Sequence, residues 1–218
     1  MTTDGGELPR RSGRPPRLSR AGVVDAAEAI VVGEGIEALT MRRVAERLGA
    51  SPMALYRHVR DKDELLVALL DRLASQVPRP SLPAEPRARL LAVCRLMHDG
   101  LAAQPWVVGV LAKGDLIAPS ILWMIEDILA ALIACGLSDG EAVAGYRTVW
   151  QFTVGELMIA QGLAELERPP FVLSILEDAD AHEYPTLAAV AEHWRRARQV
   201  KGYDDGLAAL IDGLLARA

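Results

Sequence analysis

The chain has 218 residues, of which 51% are hydrophobic and 24% are charged, and its formal net charge is −5. This length and hydrophobicity are enough to bury a core, which excludes an intrinsically disordered chain. No apolar run reaches the length of a membrane span and the N-terminus lacks the apolar centre of a signal peptide, so we expect a soluble, cytoplasmic protein. The two cysteines, Cys94 and Cys135, form no spaced set, and we expect free buried thiols.

Positive charge is concentrated at the N-terminal end of the chain. Residues 1–62 contain 11 Lys and Arg against 8 Asp and Glu, whereas residues 63–218 contain 13 against 21. The segment RRSGRPPRLSR holds five of these arginines among Gly and Pro, and we expect residues 1–17 to form a flexible basic arm. Such an arm either adds contacts to a polyanion or is a tail without a role.

Two helices are predicted next in the chain. Ser19 can cap a first helix whose apolar residues recur at helical spacing, and Gly33 and Gly35 are expected to end it. Thr40 can cap a short second helix, and Gly49 is expected to end it. The apolar residues that these helices turn inward are Val23, Ala26, Ala27, Ile30, Val31, Val44, Ala45 and Leu48.

Two more helices are predicted before a proline-rich boundary. Pro52 suits the first turn of a third helix, which buries Leu55 and Val59. Asp61, followed three residues later by Glu64, has the form of a capping box and starts a fourth helix. The inward face of that helix is formed by Leu65, Leu66, Leu69, Leu70 and Leu73.

The stretch VPRPSLPAEP, residues 77–86, cannot continue a helix and marks a domain boundary. Beyond it the periodicity predicts only helices, at about 86–103, 106–113, 118–135, 139–166, 185–199 and 203–217. No β-type alternation of useful length occurs anywhere. The predicted fold class is therefore all-α, with an N-terminal three-helix domain over residues 18–77 and a C-terminal helical domain over residues 86–218.

The second and third helices form a helix-turn-helix unit, in which the second helix of the unit enters the major groove of DNA. The outward side chains on and after the turn are Ser51, Met53, Ala54, Tyr56, Arg57 and His58. Tyr56 and Arg57 can reach phosphates or base edges, and Met53 and Ala54 can contact thymine methyls. The alternative is an ordinary solvated helix, because the spacing of a helix-turn-helix is short and permissive.

The run GIEALTMRRVAERLGASPMALYRHVRDKDELL, residues 35–66, closely resembles the DNA-binding domain of the TetR family of transcriptional repressors. The resemblance implies that Thr40 and Arg42 contact the phosphate backbone and that Lys62 anchors the fourth helix to a phosphate. It also implies a recognition surface formed by Ser51, Pro52, Met53, Ala54, Tyr56, Arg57 and His58. The positions that match in one register are Gly35, Thr40, Val44, Ala45, Gly49, Leu55, Tyr56, His58, Lys62, Leu65 and Leu66.

A weaker resemblance continues into the C-terminal domain. The segments QFTVG, residues 151–155, and YDDGLAALIDGL, residues 203–214, are similar to the two dimerisation helices of the tetracycline-repressor-like branch. The resemblance implies a homodimer joined by a four-helix bundle, and an apolar stripe on the terminal helix agrees with this. The residues expected in the dimer interface are Phe152, Leu207, Leu210, Ile211 and Leu214.

One departure from the family concerns the ligand. Its drug-binding members hold a magnesium–tetracycline chelate with histidines, and those positions fall near Pro78 and Leu111, neither of which can bind a metal. Tetracycline is therefore not the expected effector, and we predict no metal and no cofactor.

Large adaptable side chains in the C-terminal domain are the candidates for an effector cavity, although core packing is the alternative for each. His98 in particular is either a ligand contact or a structural histidine with satisfied hydrogen bonds, and the same choice applies to His193. The residues predicted to line an effector cavity are His98, Trp106, Trp123, Met124, Tyr146, Trp150 and Gln151.

Two other patterns point to different chemistry. Residues 33–38 fit a dinucleotide-binding G-x-G-x-x-A pattern but follow a helix rather than a strand, so an interhelical turn explains them better. The acidic stretch 177–183 can attract a divalent cation or form a solvated loop, and its lack of calcium-loop spacing favours the loop.

No catalytic signature is present, and we predict that the protein is not an enzyme. The function that these patterns predict is a ligand-responsive transcriptional repressor that binds a palindromic operator in double-stranded DNA as a homodimer and is released by a small-molecule effector. An enzyme or interaction module that merely contains a helix-turn-helix is the alternative, and an activating or architectural output stays open.

Overall fold

A computed structural model describes residues 18–113, 116–167, 171–197 and 202–216. Its internal contacts divide the chain into two units, residues 1–69 and residues 70–218. In the described residues every regular element is a helix, which confirms the all-α prediction. The predicted basic arm, residues 1–17, lies outside the described residues.

The first unit contains helices α1 (Arg20–Glu34), α2 (Met41–Arg47), α3 (Pro52–Leu55) and the start of α4 (Lys62–Ala74), with a 3-10 turn at Ile36–Ala38. Two of the predicted caps are confirmed. The hydroxyl of Ser19 accepts a hydrogen bond from the backbone N–H of Gly22 at 3.1 Å, and that of Thr40 accepts one from the N–H of Arg43 at 3.1 Å. Both helices thus begin where a side-chain oxygen satisfies a free backbone donor.

Only one of the two predicted glycines ends α1. Gly33 stays inside the helix, whereas Gly35 adopts a φ of 87° and its N–H donates to the carbonyl of Val31. A positive φ costs glycine little because it lacks a Cβ atom. Since the G-x-G-x-x-A match begins in the last turn of α1 and not after a strand, it forms the end of a helix and an interhelical turn, and it has no dinucleotide-binding context.

The start of α4 differs from the predicted capping box in one bond. The carboxylate of Asp61 accepts from the N–H of Glu64 at 2.8 Å, as predicted. The Glu64 carboxylate, however, accepts from the N–H of Arg60 at 2.7 Å and does not return to the cap residue. The backbone and side-chain bonds from Arg60 lower the pKa of Glu64, so this carboxylate stays ionised at neutral pH.

The core of the first unit is aliphatic and holds the helix-turn-helix together. Leu55 and Val59 are both buried, which confirms the predicted inward face of the third helix. The α-helical part of α3 ends at Leu55, and residues 56–58 continue as a turn in which the N–H groups of His58 and Val59 donate to the Leu55 carbonyl. The largest fully buried side chains of this unit are Val23, Ile30, Leu39, Val44, Leu55, Leu65 and Leu69.

Among the described residues, seven helices belong wholly to the second unit. They are α5 (Pro86–Ala102), α6 (Pro105–Leu111), α7 (Leu122–Ala134), α8 (Asp139–Ala164), α9 (Phe171–Glu177), α10 (Pro185–Ala197) and α11 (Tyr203–Leu215). Six of the seven agree with the predicted ranges to within a few residues, although α7 is preceded by a 3-10 turn at Pro119–Ile121. Helix α9 was not predicted. In the described part of the chain no helix is long and apolar enough to cross a membrane.

Helices α5, α7, α8 and α11 pack around one core, to which both predicted free cysteines contribute. Salt bridges tie α5 to its neighbours. Arg87 binds Asp212 of α11 through two hydrogen bonds of 2.7 and 2.9 Å, and Arg89 binds the buried Asp127 of α7 at 2.6 Å. Gly206 lets α11 approach α8 closely, because a Cβ atom there would lie 2.8 Å from the ring of Phe152.

Candidate DNA-binding surface and effector cavity

The outer side of α3 keeps large side chains in water. Met53 is 76% exposed and Tyr56 is 47% exposed, although both are costly to leave unburied. Ser51, Pro52 and Arg57 are also exposed, and Ala54 and His58 are half-buried. The structure therefore brings all seven residues of the predicted recognition surface to one short segment that the buried Leu55 and Val59 attach to the core.

The cations around this surface fall into two groups. Arg42 pairs with Glu46 at 2.9 Å, Arg43 with Glu34 at 3.0 Å, and Arg60 with Glu64 at 3.2 Å. By contrast, Arg57 and Lys62 have no ion pair with any described residue and are exposed. A free cation meets a phosphate without first losing a carboxylate partner, so Arg57 and Lys62 are the better placed of the predicted contacts.

The predicted phosphate contacts Thr40 and Arg42 lie at the start of α2. The Thr40 hydroxyl accepts the N–H of Arg43 as a helix cap, which leaves its own hydrogen available as a donor. The Arg42 side chain is exposed despite its bond to Glu46, and exposed pairs of this kind contribute little to stability. Both residues therefore remain accessible to a phosphate group.

A cavity of about 1110 Å³ lies in the second unit. Its wall is formed by the last turn of α4, by helices α5, α6, α7 and α8, and by the link between α6 and α7. Four of the seven predicted effector residues line it: Met124, Tyr146, Trp150 and Gln151. Pro78 and Leu111, near which the family resemblance predicts the loss of metal ligands, also line the wall.

Three of the predicted effector residues lie outside the cavity wall. The ring nitrogens of His98 are both 3.1 Å from a carboxylate, that of Asp99 and that of Glu156, and the ring stacks on Tyr203 at 3.9 Å. His98 is therefore a structural histidine. Trp123 packs against the core with the guanidinium of Arg79 at 5.0 Å, and Trp106 is half-buried away from the wall.

Other lining residues were missed by sequence reasoning. Most are small or aliphatic, such as Leu96, Gly100 and Ile125, and nothing in their identity separates a cavity wall from a core. Two polar ones, Gln104 and Arg147, offered a signal, because each lies within two residues of an aromatic residue, Trp106 or Tyr146, and ligand cavities combine apolar walls with a few polar groups. Burial raises the pKa of the Tyr146 hydroxyl, which keeps it protonated and able to donate a hydrogen bond.

The predicted dimer residues lie mostly inside their own unit. Leu207 and Ile211 are 0% exposed and belong to the core, so these two have no surface left for a partner, contrary to the prediction. Phe152, Leu210 and Leu214 are half-buried against the same core. The apolar stripe of α11 thus faces α5 and α8 of its own chain, because an amphipathic helix buries its stripe against the nearest apolar face.

The acidic stretch that begins at Glu177 runs from the end of a helix into a turn. Helix α9 ends at Glu177, and the turn that follows is organised by Asp180, which accepts the N–H of His182 at 2.8 Å. In the part of the chain that the structure describes, no group of three or more His, Cys, Asp or Glu side chains is placed to hold a metal ion.

Comparison with known proteins agrees with this arrangement of a helix-turn-helix and a helical second unit. Residues 23–69 match the model of bacterial regulatory proteins of the tetR family, and residues 79–218 match the tetracyclin repressor-like C-terminal domain. The chain belongs to the TetR family of transcriptional regulators. Relatives of this TetR-family chain include the HTH-type transcriptional repressor DrrR1 of Streptomyces coeruleorubidus, with 32% identity over 97% of this chain and 82% of that protein.

Solved structures of TetR-type regulators also resemble the chain. The Streptomyces coelicolor TetR family protein ActR, in complex with (S)-DNPA, is 26% identical, with a TM-score of 0.74 over 93% of this chain and 99% of that one. BioQ with its natural double-stranded DNA operator is 27% identical, with a TM-score of 0.63 over 92% of this chain and 99% of that one.

Proposed function

We propose that this TetR-family regulator is a repressor that binds a palindromic DNA operator as a homodimer and is released when a small-molecule effector fills the cavity of the second unit. The observation that carries the proposal is the cavity of about 1110 Å³, since a largely apolar cavity of this size is typical of a small-molecule site and is not needed to stabilise a fold. Such a regulator works in the bacterial cytoplasm, where the chromosome lies.

The DNA-binding part of the proposal is supported by the exposed Met53, Tyr56 and Arg57 on α3. Two copies of this surface, related by two-fold symmetry, match two half-sites of an inverted repeat. The relative DrrR1 is named a repressor, and the structural relative BioQ was solved with operator DNA.

The homodimer is proposed on the C-terminal helices. Although Leu207 and Ile211 are buried in their own core, α8 leaves four large apolar side chains exposed, and a second copy of the chain would cover them. These exposed residues of α8 are Val143, Met158, Ile159 and Leu163.

Helix α4 is the proposed link between effector and DNA. Its first turns bury Leu65 and Leu69 in the core of the first unit, and its last turn contributes Leu70, Leu73 and Ala74 to the cavity wall. An effector that displaces the last turn would move the recognition helices of the dimer away from the spacing of successive major grooves. It must bind the DNA-incompetent arrangement more tightly, because equal affinity for both arrangements shifts nothing.

The proposal is tested by selecting double-stranded oligonucleotides from a random library with the full-length protein and then screening small molecules for release. We expect an inverted repeat to be selected, and we expect compounds that raise the melting temperature of the protein to lower its affinity for that repeat about 5- to 150-fold. Failure to enrich any sequence at low salt would contradict the DNA-binding part. Stabilising compounds that never release the operator would contradict the effector part.

A further inference from the structure

The described residues of the cavity wall carry one charge. Among the described lining residues Arg147 of α8 is the only charged side chain, and no carboxylate lines the cavity beside it. Arg147 is exposed, whereas Met97, Met124 and Ile128 of the same wall are buried. The described wall therefore combines buried apolar residues with one exposed cation.

Arg147 differs from the arginines of α5 in having no acidic partner among the described residues. Arg87, Arg89 and Arg95 of α5 are bound to Asp212, Asp127 and Asp204 at 2.6–2.7 Å. In the described part of the chain no carboxylate lies within ion-pair distance of Arg147. Its neighbours one turn away on α8 are Val143, Ala144, Trp150 and Gln151, none of which is acidic.

We infer that the cavity takes an amphipathic monoanion, that is, an apolar body with one carboxylate or sulfonate group, and that Arg147 is its counter-ion. This inference rests on the proposed function, because it names the class of effector for the same cavity. A guanidinium pairs with a carboxylate or sulfonate through parallel hydrogen bonds, which fixes the orientation of the ligand as well as attracting it. The apolar body then lies against Trp150, Met97 and Met124.

The lining also excludes other ligand classes. A cationic ligand would face the charge of Arg147 and would find no carboxylate among the described lining residues. A dianion would leave its second charge without a cation in an apolar wall, which is costly. The remaining polar lining residues are neutral and can serve hydroxyl, carbonyl or amide groups of the ligand: Gln76, Gln104, Tyr146 and Gln151.

Two fluorescent probes of nearly equal shape test the inference. 8-Anilinonaphthalene-1-sulfonate carries one negative charge, and N-phenyl-1-naphthylamine is the same ring system without the sulfonate. Their affinities should be measured with the full-length wild-type protein, with Arg147→Gln, with Arg147→Lys and with Lys113→Gln. Lys113 is the matched control, because it is an exposed cation close in sequence to the wall but outside it.

We expect Arg147→Gln to raise the dissociation constant of the anionic probe about 5- to 20-fold. The dissociation constant of the neutral probe should change by less than about twofold, because only the anionic probe loses an ionic hydrogen bond. Arg147→Lys should recover part of the loss, and Lys113→Gln should leave both affinities within about twofold. Added salt should lower the affinity of the wild-type protein for the anionic probe, and it should lower the affinity of Arg147→Gln much less.

Equal losses for both probes, or no loss for the anionic one, would overturn the inference. Operator affinity, measured in the same samples, separates it from the proposed function. If the protein prefers the anionic probe through Arg147 but does not release the operator, the inferred ligand class is supported and the proposed effector-controlled repressor is contradicted. Release by both probes without dependence on Arg147 would contradict the ligand class alone.

Discussion

Met53 and Leu55 lie two residues apart on α3 and are at opposite extremes of exposure, since Met53 is 76% exposed and Leu55 is 0% exposed. The short helix therefore has one side that is part of the core and another that offers an apolar side chain to solvent. On the proposed function, this division assigns stability and DNA recognition to different side chains of the same four-residue helix.

A substitution at Leu55 should change stability, whereas a substitution at Met53 should change operator affinity. Leu55→Ala should lower the free energy of unfolding by about 2–5 kcal/mol, because it leaves a cavity in a packed core. Met53→Ala should leave stability within about 0.5 kcal/mol and weaken binding to the selected operator. Urea unfolding and fluorescence anisotropy with labelled operator measure the two quantities. If Met53→Ala leaves operator affinity intact, the outer side of α3 is not the recognition surface.

Lys62 should bind a DNA phosphate and should not contribute to sequence preference. It is exposed and has no ion pair with any described residue, so Lys62→Ala should weaken binding to all DNA sequences alike. The slope of log affinity against log salt should fall by about one unit for the loss of one phosphate contact. Titrations at several salt concentrations with operator and with unrelated DNA provide the measurement. A change in sequence preference would show that Lys62 contacts bases instead.

The sequence predicted the first unit better than the second, and local chemistry explains the difference. The caps at Ser19 and Thr40 were predictable because each depends on one side chain and a backbone N–H three residues further on. Helix α9 was missed because its seven residues, FVLSILE, are too short to show an amphipathic period. The apolar stripe on α11 was recognised, but its burial partner was not, since a stripe looks the same whether its own chain or a second chain covers it.

The candidate effector cavity is a second example, because local sequence does not show which side chains line it. Trp123 and Met124 are adjacent in sequence, yet only Met124 lines the cavity, because successive residues of a helix face different neighbours. His98 was a reasonable candidate by residue type, but its bonds to Asp99 and Glu156 depend on packing between α5 and α8 that no local pattern reveals.

Tryptophan fluorescence should distinguish Trp150 of α8 from Trp123 of α7. Trp150 lines the cavity, whereas Trp123 packs beside Arg79 outside it. Binding of 8-anilinonaphthalene-1-sulfonate should quench protein emission by energy transfer, and Trp150→Phe should remove a larger part of that quenching than the matched Trp123→Phe change. Equal losses in the two variants would mean that the probe does not bind next to Trp150.

Stability should fall as the pH rises above 9. Burial raises the pKa of the Cys94 thiol from 9.0 to about 12, so the folded chain holds this proton where the unfolded chain releases it. The stabilising contribution is complete below pH 9 and is lost as the pH approaches 12. By pH 10.5 the loss is about 2 kcal/mol, at 1.36 kcal/mol per pH unit. Urea unfolding at pH 8 and pH 10.5 should show a smaller decrease for Cys94→Ala than for wild type, and an identical decrease would contradict the assignment to Cys94.

The proposed repressor must read two half-sites with two symmetry-related subunits, and removal of one half-site tests this requirement. The affinity of the full-length protein should be measured for the selected inverted repeat and for the same duplex with one half-site scrambled, at one fixed salt concentration. Loss of the base contacts of one subunit should lower the affinity at least about 100-fold, since each mismatched base pair costs about 1–3 kcal/mol. Equal affinity for the two duplexes would contradict a dimeric repressor built on this helix-turn-helix.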